Sequence, residues 1–204
     1  MLTIYHLANS RSERMIWLAL ELGLGYELVR FERDPATRRA PEEMKEIHPL
    51  GKSPVIRDGD MTLIESGAIV EYLATKYGAG TLAPQPEDDD YARYLQWLHY
   101  AEGSAMFQLI LDMFMSGELG GDAHEMSPRI REGWLQTLDH LDGELATRPW
   151  FAGDRFTAAD VMMGYPLVIA NGRGQLEGRE FVKAYVKRIV ERPAYIEAQR
   201  IACG

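Results

Sequence analysis

The segment LTIYHLANSRSERMIWLALELGLGYELVRF, from Leu2 to Phe31, changes its hydrophobic period twice. Leu2-Thr-Ile-Tyr-His6 is a short β-prone run. From Ser12 to Gly23 the period becomes 3.6, with Met15, Ile16, Ala19 and Leu20 returning to one side, and Gly23 and Gly25 stop the helix. Tyr26 to Phe31 then reads as a second strand. Strand, helix and strand at this spacing form a βαβ unit, whose crossover helix must cover an apolar sheet face.

Beyond Glu32 the chain turns polar and is punctuated by Pro35, an Arg38-Arg39 pair, Pro41 and Pro49, which predicts a loop with one short helix near Glu42 to Ile47. Val55-Ile-Arg57, then Asp58-Gly59, then Asp60-Met-Thr-Leu-Ile64 is a hairpin pattern, the Asp-Gly pair supplying the positive φ of a tight connection. Pro54 opens the first of these strands, where a missing N–H is tolerated. Ser66 is expected to cap a helix from about Gly67 to Tyr77. The order βαβ-ββα implies an α/β domain over residues 1–78 with a mixed four-stranded sheet, as in thioredoxin-like folds. A dinucleotide-binding half would need a Gly-rich turn after strand one.

Residues 79–87 lack periodicity and read as a linker, and residues 88–204 read as an all-α domain. One helix is expected from about Asp88 to Met115, a turn over Gly117 to Glu125, and a second helix opened by Ser127-Pro128. Thr157-Ala-Ala-Asp160 has the form of a capping box, with Phe156 and Val161 placed as its staple, before an almost uncharged central helix. Gly178 to Val190 and Pro193 to Ala202 complete the domain.

Lys and Arg number 22 against 31 Asp and Glu, a net charge of −9, so nucleic acid and anionic membranes are not expected partners. The one cysteine, Cys203, excludes an intrachain disulfide, a CxxC redox pair and a cysteine-rich zinc site, and no metal is expected. The first helix carries Glu13, Arg14 and Glu21, which reads as neither signal peptide nor membrane span and makes a cytoplasmic location the expectation.

Four stretches together resemble the cytosolic glutathione S-transferases: Leu7-Ala-Asn-Ser-Arg-Ser-Glu-Arg14, His48-Pro-Leu-Gly-Lys-Ser-Pro-Val-Ile56, Ile64-Glu-Ser-Gly-Ala-Ile-Val-Glu-Tyr72 and Phe156-Thr-Ala-Ala-Asp160. They look most like the fungal and bacterial branch whose first helix follows Asn-Ser-Arg or His-Ser-Arg. The resemblance implies a homodimer whose first domain binds glutathione as co-substrate. The helical domain would supply part of the dimer interface and a wall for a small, largely apolar electrophile, with Met106, Phe107, Ile110, Met113 and Phe114 as wall or core. Peroxide reduction is compatible with the same site. A nonenzymatic glutathione-dependent binder and a glutathione-dependent isomerase are the alternatives, although the isomerase's Ser-Ser-Cys stretch is absent around Ser10.

On this resemblance Ser10 is the hydroxyl matched to the thiolate and Arg11 the nearby cation, with Tyr5 and Ser12 as alternative donors. The rival reading is that Ser10-Arg-Ser-Glu13 is a plain capping box. Glu65 and Ser66 match the pair that holds the γ-glutamyl end, and Ser53, before a cis Pro54, matches the residue whose backbone pairs with the cysteinyl portion. Lys52 and His48 are placed for the glycyl carboxylate, and Glu102 for the γ-glutamyl amine across the dimer. An ordinary surface or ion-pairing role is the rival reading of Arg11, Lys52, His48 and Glu102.

Overall fold

The computed structural model describes residues 1–117 and 127–203. The chain forms two compact units: residues 1–83 with the segment from Glu191 onward, and residues 84–190.

The first unit runs β1 (Leu2–Leu7), α1 (Glu13–Glu21), β2 (Tyr26–Phe31), α2 (Met44–Ile47), β3 (Val55–Asp58), β4 (Met61–Ile64) and α3 (Ser66–Gly78). The sheet order is β2-β1-β3-β4, with β1 parallel to β2 and antiparallel to β3, and β3 antiparallel to β4. This is the thioredoxin-like βαβ-ββα arrangement that the period changes predict. All six residues of β1 are buried. Gly59, at φ 62°, makes the β3–β4 turn.

Two local expectations are corrected. Ser66 does not cap α3 but is its first residue, because Glu65, at φ 71° and ψ 118°, already diverges from the strand and occupies the cap position. Ser10 does not cap α1 either: Ser12 holds that position, and the Ser10 hydroxyl accepts from the N–H of Ser12 at 3.2 Å.

The second unit contains α4 (Tyr91–Tyr100), a π-helical stretch (Ala101–Met106), α5 (Phe107–Met115), α6 (Ser127–Leu145), α7 (Ala158–Gly172) and α8 (Glu180–Val190). The single helix expected over 88–115 is therefore interrupted by a wider turn, a feature the 3.6-residue period does not reveal. The turn expected over Gly117 to Glu125 lies, beyond Gly117, outside the described residues. Among the described residues no helix is long and apolar enough to cross a membrane.

Periodicity alone assigns the last segment to the helical half. Instead α9 (Pro193–Cys203) belongs to the first unit, packed on α1. Arg192 forms a two-pronged ion pair with Glu21 at 2.6 and 2.7 Å, and the Tyr195 and Trp17 rings form a T-shaped pair with centres 5.0 Å apart. Periodicity shows that a helix has an apolar face but not which element covers it.

Thr157 and Asp160 form the capping box that starts α7. Asp160 is fully buried and does more than cap. One carboxylate oxygen accepts from the N–H and hydroxyl of Thr157 (2.9 and 3.2 Å), the other from the Phe151 N–H and the Tyr185 hydroxyl (3.0 and 3.2 Å). Burial raises its pKa to about 6 against the pull of these donors. Asp160→Ala removes the cap and strands the buried Phe151 N–H, while the Tyr185 hydroxyl keeps the main-chain carbonyl of residue 160 at 3.3 Å, so an unfolding cost of about 2–4 kcal/mol is expected at pH 7 from urea midpoints. Because the folded pKa lies above the unfolded one, Asp160 contributes most at low pH. The gap between wild type and variant should narrow as pH rises from 4 through about 6.

Candidate functional site

The sheet register brings three separate pieces of chain to one end of the first unit. Tyr5 pairs with Val55 and Val55 with Ile64, so the exit of β1, the entry of β3 and the exit of β4 lie side by side. The exit of β1 leads to Asn9-Ser10-Arg11, the entry of β3 is Ser53-Pro54, and the exit of β4 is Glu65-Ser66. The Ser53–Pro54 bond is cis. Non-glycine residues with positive φ stand at two of these corners, Asn9 (52°) and Glu65 (71°). Such backbone is uphill for a residue with a Cβ and persists only where its surroundings fix it.

Ser10 is buried, and its Oγ lies 3.0 Å from Ser53 Oγ and 2.8 Å from Ser12 Oγ. Ser12, with no solvent exposure, contacts Nδ1 of His6 at 2.8 Å and accepts from the Leu7 N–H at 3.2 Å; Leu7 C=O is farther, at 3.4 Å. Nε2 of His6 lies 3.2 Å from the carbonyl oxygen of Ala202 in α9. A carbonyl only accepts, so Nε2 carries a proton, and in the neutral ring Nδ1 accepts from the Ser12 hydroxyl. The Ser12 proton is thereby committed. Ser10 must then donate to Ser12, and Ser53 to Ser10. The four side chains form one directed chain, Ser53 to Ser10 to Ser12 to His6, ending on the Ala202 carbonyl. Burial lowers the His6 pKa, an effect that the Ala202 bond opposes.

The other predicted residues are distributed as follows. Arg11 is half-buried in the turn before α1, and Lys52 is exposed immediately before Ser53. His48 ends α2, and its Nδ1 accepts from the Leu50 N–H at 3.3 Å. Ser66 is buried at the first turn of α3, where backbone N–H groups have no partner within the helix. Tyr5 is outside the hydroxyl chain: it is buried, with the Arg57 guanidinium 5.7 Å from its ring centre. Glu102 lies in the second unit, half-buried in the π-helical stretch.

In that unit Met106 is buried, so of the proposed wall residues it is core. Phe107 and Phe114 are 62 % and 57 % exposed on one face of α5, with Ile110 between them. Asp112, on the opposite face, is buried and paired with Arg131 and with Arg173 (2.9 Å), and accepts from Gln175 at 3.1 Å. Among the described residues no group of three or more metal-ligating side chains occurs.

His6 is the residue that sequence reasoning missed. Its only signal was a titratable ring in a mostly apolar strand, six residues before a serine at a strand-to-helix turn.

Residues 1–75 match the glutathione S-transferase N-terminal domain family, and residues 125–188 the glutathione S-transferase C-terminal domain family. Glutathione S-transferase 3 of Schizosaccharomyces pombe is 32 % identical, the match covering 95 % of this chain and 85 % of the yeast protein. Glutathione S-transferase 1 of Saccharomyces cerevisiae is 28 % identical over 98 % and 94 %. Among solved structures, a glutathione S-transferase from Actinobacillus pleuropneumoniae superposes with a TM-score of 0.86 at 31 % identity, covering all of this chain and 94 % of the other. A sphingomonad glutathione S-transferase complexed with glutathione gives 0.80 at 25 % identity, covering 98 % of each. With sheet order, helical unit and end-to-end similarity in agreement, the chain belongs to the glutathione S-transferase family.

Proposed function

We propose that the protein is a glutathione transferase of the branch with an Asn-Ser-Arg start to helix one, joining the glutathione thiolate to small, largely apolar electrophiles. The observation that carries this reading is the convergence of Ser10, Ser53 and the Glu65-Ser66 corner at one end of the sheet.

A tripeptide thiol must be held at both ends and ionised between them. The N–H groups at the start of α3 and the Ser66 hydroxyl suit the γ-glutamyl carboxylate, and the Glu65 carboxylate suits its amine. Main-chain N–H and C=O groups at Ser53 suit the cysteinyl portion. Lys52 supplies a cation for the glycyl carboxylate, with His48 beside it, and Glu102 offers a second acid for the amine across a homodimer.

An ordinary thiol with pKa about 8.5 is only a few per cent ionised at pH 7. Lowering that value by about two units requires about 2.7 kcal/mol of preference for the thiolate, within the range of a hydroxyl donor assisted by a cation. Ser10 is the hydroxyl and Arg11 the cation in this scheme. In the helical unit, the exposed face of Phe107, Ile110 and Phe114 suits an apolar electrophile.

Calorimetry with reduced glutathione, with light scattering alongside, should give saturable binding and a dimer. Absence of saturation at millimolar ligand rejects the ligand, whereas a monomer rejects only the assembly. Turnover on a panel of aryl halides, epoxides and hydroperoxides then separates transferase from binder. Ser10→Ala should raise the bound thiol's pKa by about one unit and slow turnover near pH 7 roughly tenfold, with glutathione affinity little changed. Unchanged thiol titration and rate would remove Ser10 from the mechanism. Glu65→Gly should move two quantities in opposite directions. Relief of the positive φ raises stability by about 1 kcal/mol, while loss of the carboxylate weakens glutathione binding about tenfold. Thermal unfolding and calorimetry on the same preparation check the pair.

A further inference from the structure

We propose that Ser10, Ser12 and His6 form an inward proton relay, which carries the proton of the bound thiol to Nδ1 of His6. The proposal rests on the reading of Ser10 as the hydroxyl that meets the glutathione sulfur.

The polarity of the chain leads to it. With His6 neutral, the Ser12 proton points at Nδ1 and the Ser10 proton points at Ser12. The Ser10 oxygen therefore faces the site as an acceptor, using one lone pair for the Ser12 N–H and the other for the Ser53 hydroxyl. An acceptor stabilises a thiol and not a thiolate. Turning the Ser10 proton outward by itself would leave two buried hydroxyl oxygens facing each other at 2.8 Å with no proton between them, or would leave Nδ1 without a donor.

Shifting every proton one place inward avoids both outcomes. The thiol S–H, in the place of the Ser53 hydroxyl, gives its proton to Ser10 Oγ. Ser10 passes its own proton to Ser12, and Ser12 passes its proton to Nδ1. One S–H bond is broken and one N–H bond is made, while each serine ends with the single O–H it began with. Afterwards Nδ1–H donates to Ser12, Ser12 donates to Ser10, and Ser10 donates to the thiolate sulfur. The proton shift itself loses no hydrogen bond, and the three bonds along the relay, from sulfur to Ser10, Ser10 to Ser12 and Ser12 to Nδ1, are each reversed. Nε2–H keeps the Ala202 carbonyl throughout. Once the thiolate has attacked the electrophile, the reverse shift returns the proton to the leaving group or to water.

The surroundings of His6 bear on the imidazolium. Burial, the largest effect, opposes it, as does Arg30 in β2, while the Ala202 bond and Glu32, just beyond that strand, favour it. Glu13 and Cys203 are the titratable groups that α1 and α9 bring to the same end. At this end β3 brings Val55, with Pro54 just before it, and neither carries a charge. Ala202 sits in the last turn of α9, so its carbonyl belongs to the negative end of that helix, which favours a cation. Ser10 alone touches the substrate in this scheme; Ser12 and His6 act through it as positioning residues.

The test uses the wild-type protein and two variants. With ring-15N histidine at pH 7, the His6 signal should report a neutral ring in the free protein and with S-methylglutathione, which has no thiol proton, and an imidazolium with reduced glutathione. His6→Gln preserves an acceptor toward Ser12 and a donor toward Ala202 but cannot take the proton; Ser12→Ala cuts the chain. Both should bind glutathione within about twofold of wild type, raise the bound-thiol pKa by about one unit and lower kcat/KM at pH 6.5 about tenfold, with a smaller deficit above pH 9. A neutral His6 ring with ionised glutathione overturns the relay, even if a variant fails to fold. A wild-type thiol pKa in folded His6→Gln does the same, and both results leave the transferase reading standing. Failure of the wild type to bind or ionise glutathione overturns the reading and the relay together.

Discussion

A hydroxyl cut off from solvent must find its partners inside the protein, and Ser12 finds them on separate segments. It is bonded to His6 and Leu7 of β1 and to Ser10 in the turn, while His6 extends the connection to the last turn of α9. Releasing any one of these leaves a buried polar group unpaired, which costs about 1–3 kcal/mol. The turn between strand and helix is thus fixed by internal pairing and not by helix capping, and Ser10 is left where its oxygen meets Ser53 at the sheet's end. The location of Cys203 at the exposed end of α9 follows from the same attachment.

The helical unit uses buried carboxylates for the same purpose. Asp160 gathers donors from the segment before α7, from the start of that helix and from α8. Asp112 gathers them from α6 and from the end of α7 and the turn after it, and Gln175 carries the network on to the Trp134 indole at 2.8 Å. A buried charge offsets its desolvation only when its hydrogen bonds are complete. Each acid therefore favours one arrangement of the helices around it over near alternatives. At Asp112 that arrangement holds the inner face of α5 and leaves Phe107 and Phe114 turned outward.

The parts of the fold legible in the sequence were those written in local periodicity or turn chemistry. Strand β2, the Asp58-Gly59 hairpin and the Thr157–Asp160 box each depend on residues within a few positions of one another. What escaped depends on distant partners or on a hydrogen-bond register that composition does not encode. Nothing in Pro193 to Cys203 states that α1 will be its partner, since Glu21 and Trp17 lie at the other end of the chain. The π-helical stretch keeps the residue types of an α-helix. Ser10 illustrates the mixed case: the family resemblance points to its turn, and the local pattern suggests a capping box that fails because the Ser12 N–H, not that of Glu13, takes the hydroxyl. His6 escaped because a histidine inside a buried strand has no local mark distinguishing an inert core residue from one end of a hydrogen-bonded chain.

Strain and buried polarity are concentrated at this end of the sheet, where Asn9 and Glu65 adopt positive φ and four polar side chains share one network. The rest of the unit can hold such a site because its register is fixed independently, by a central strand buried on both faces. The relay also addresses a charge problem. In a chain of net charge −9, releasing a thiol proton to water adds one more negative charge to a negative molecule. Passing it to His6 leaves the net charge of the complex unchanged and creates an ion pair inside the site. The field of the whole protein acts on that pair only through its gradient, so the cost is decided locally, first by burial of the ring and then by the Ala202 carbonyl, Arg30 and Glu32 around it. An acidic protein can therefore form a thiolate without a broad basic surface, provided the proton has a buried acceptor of its own.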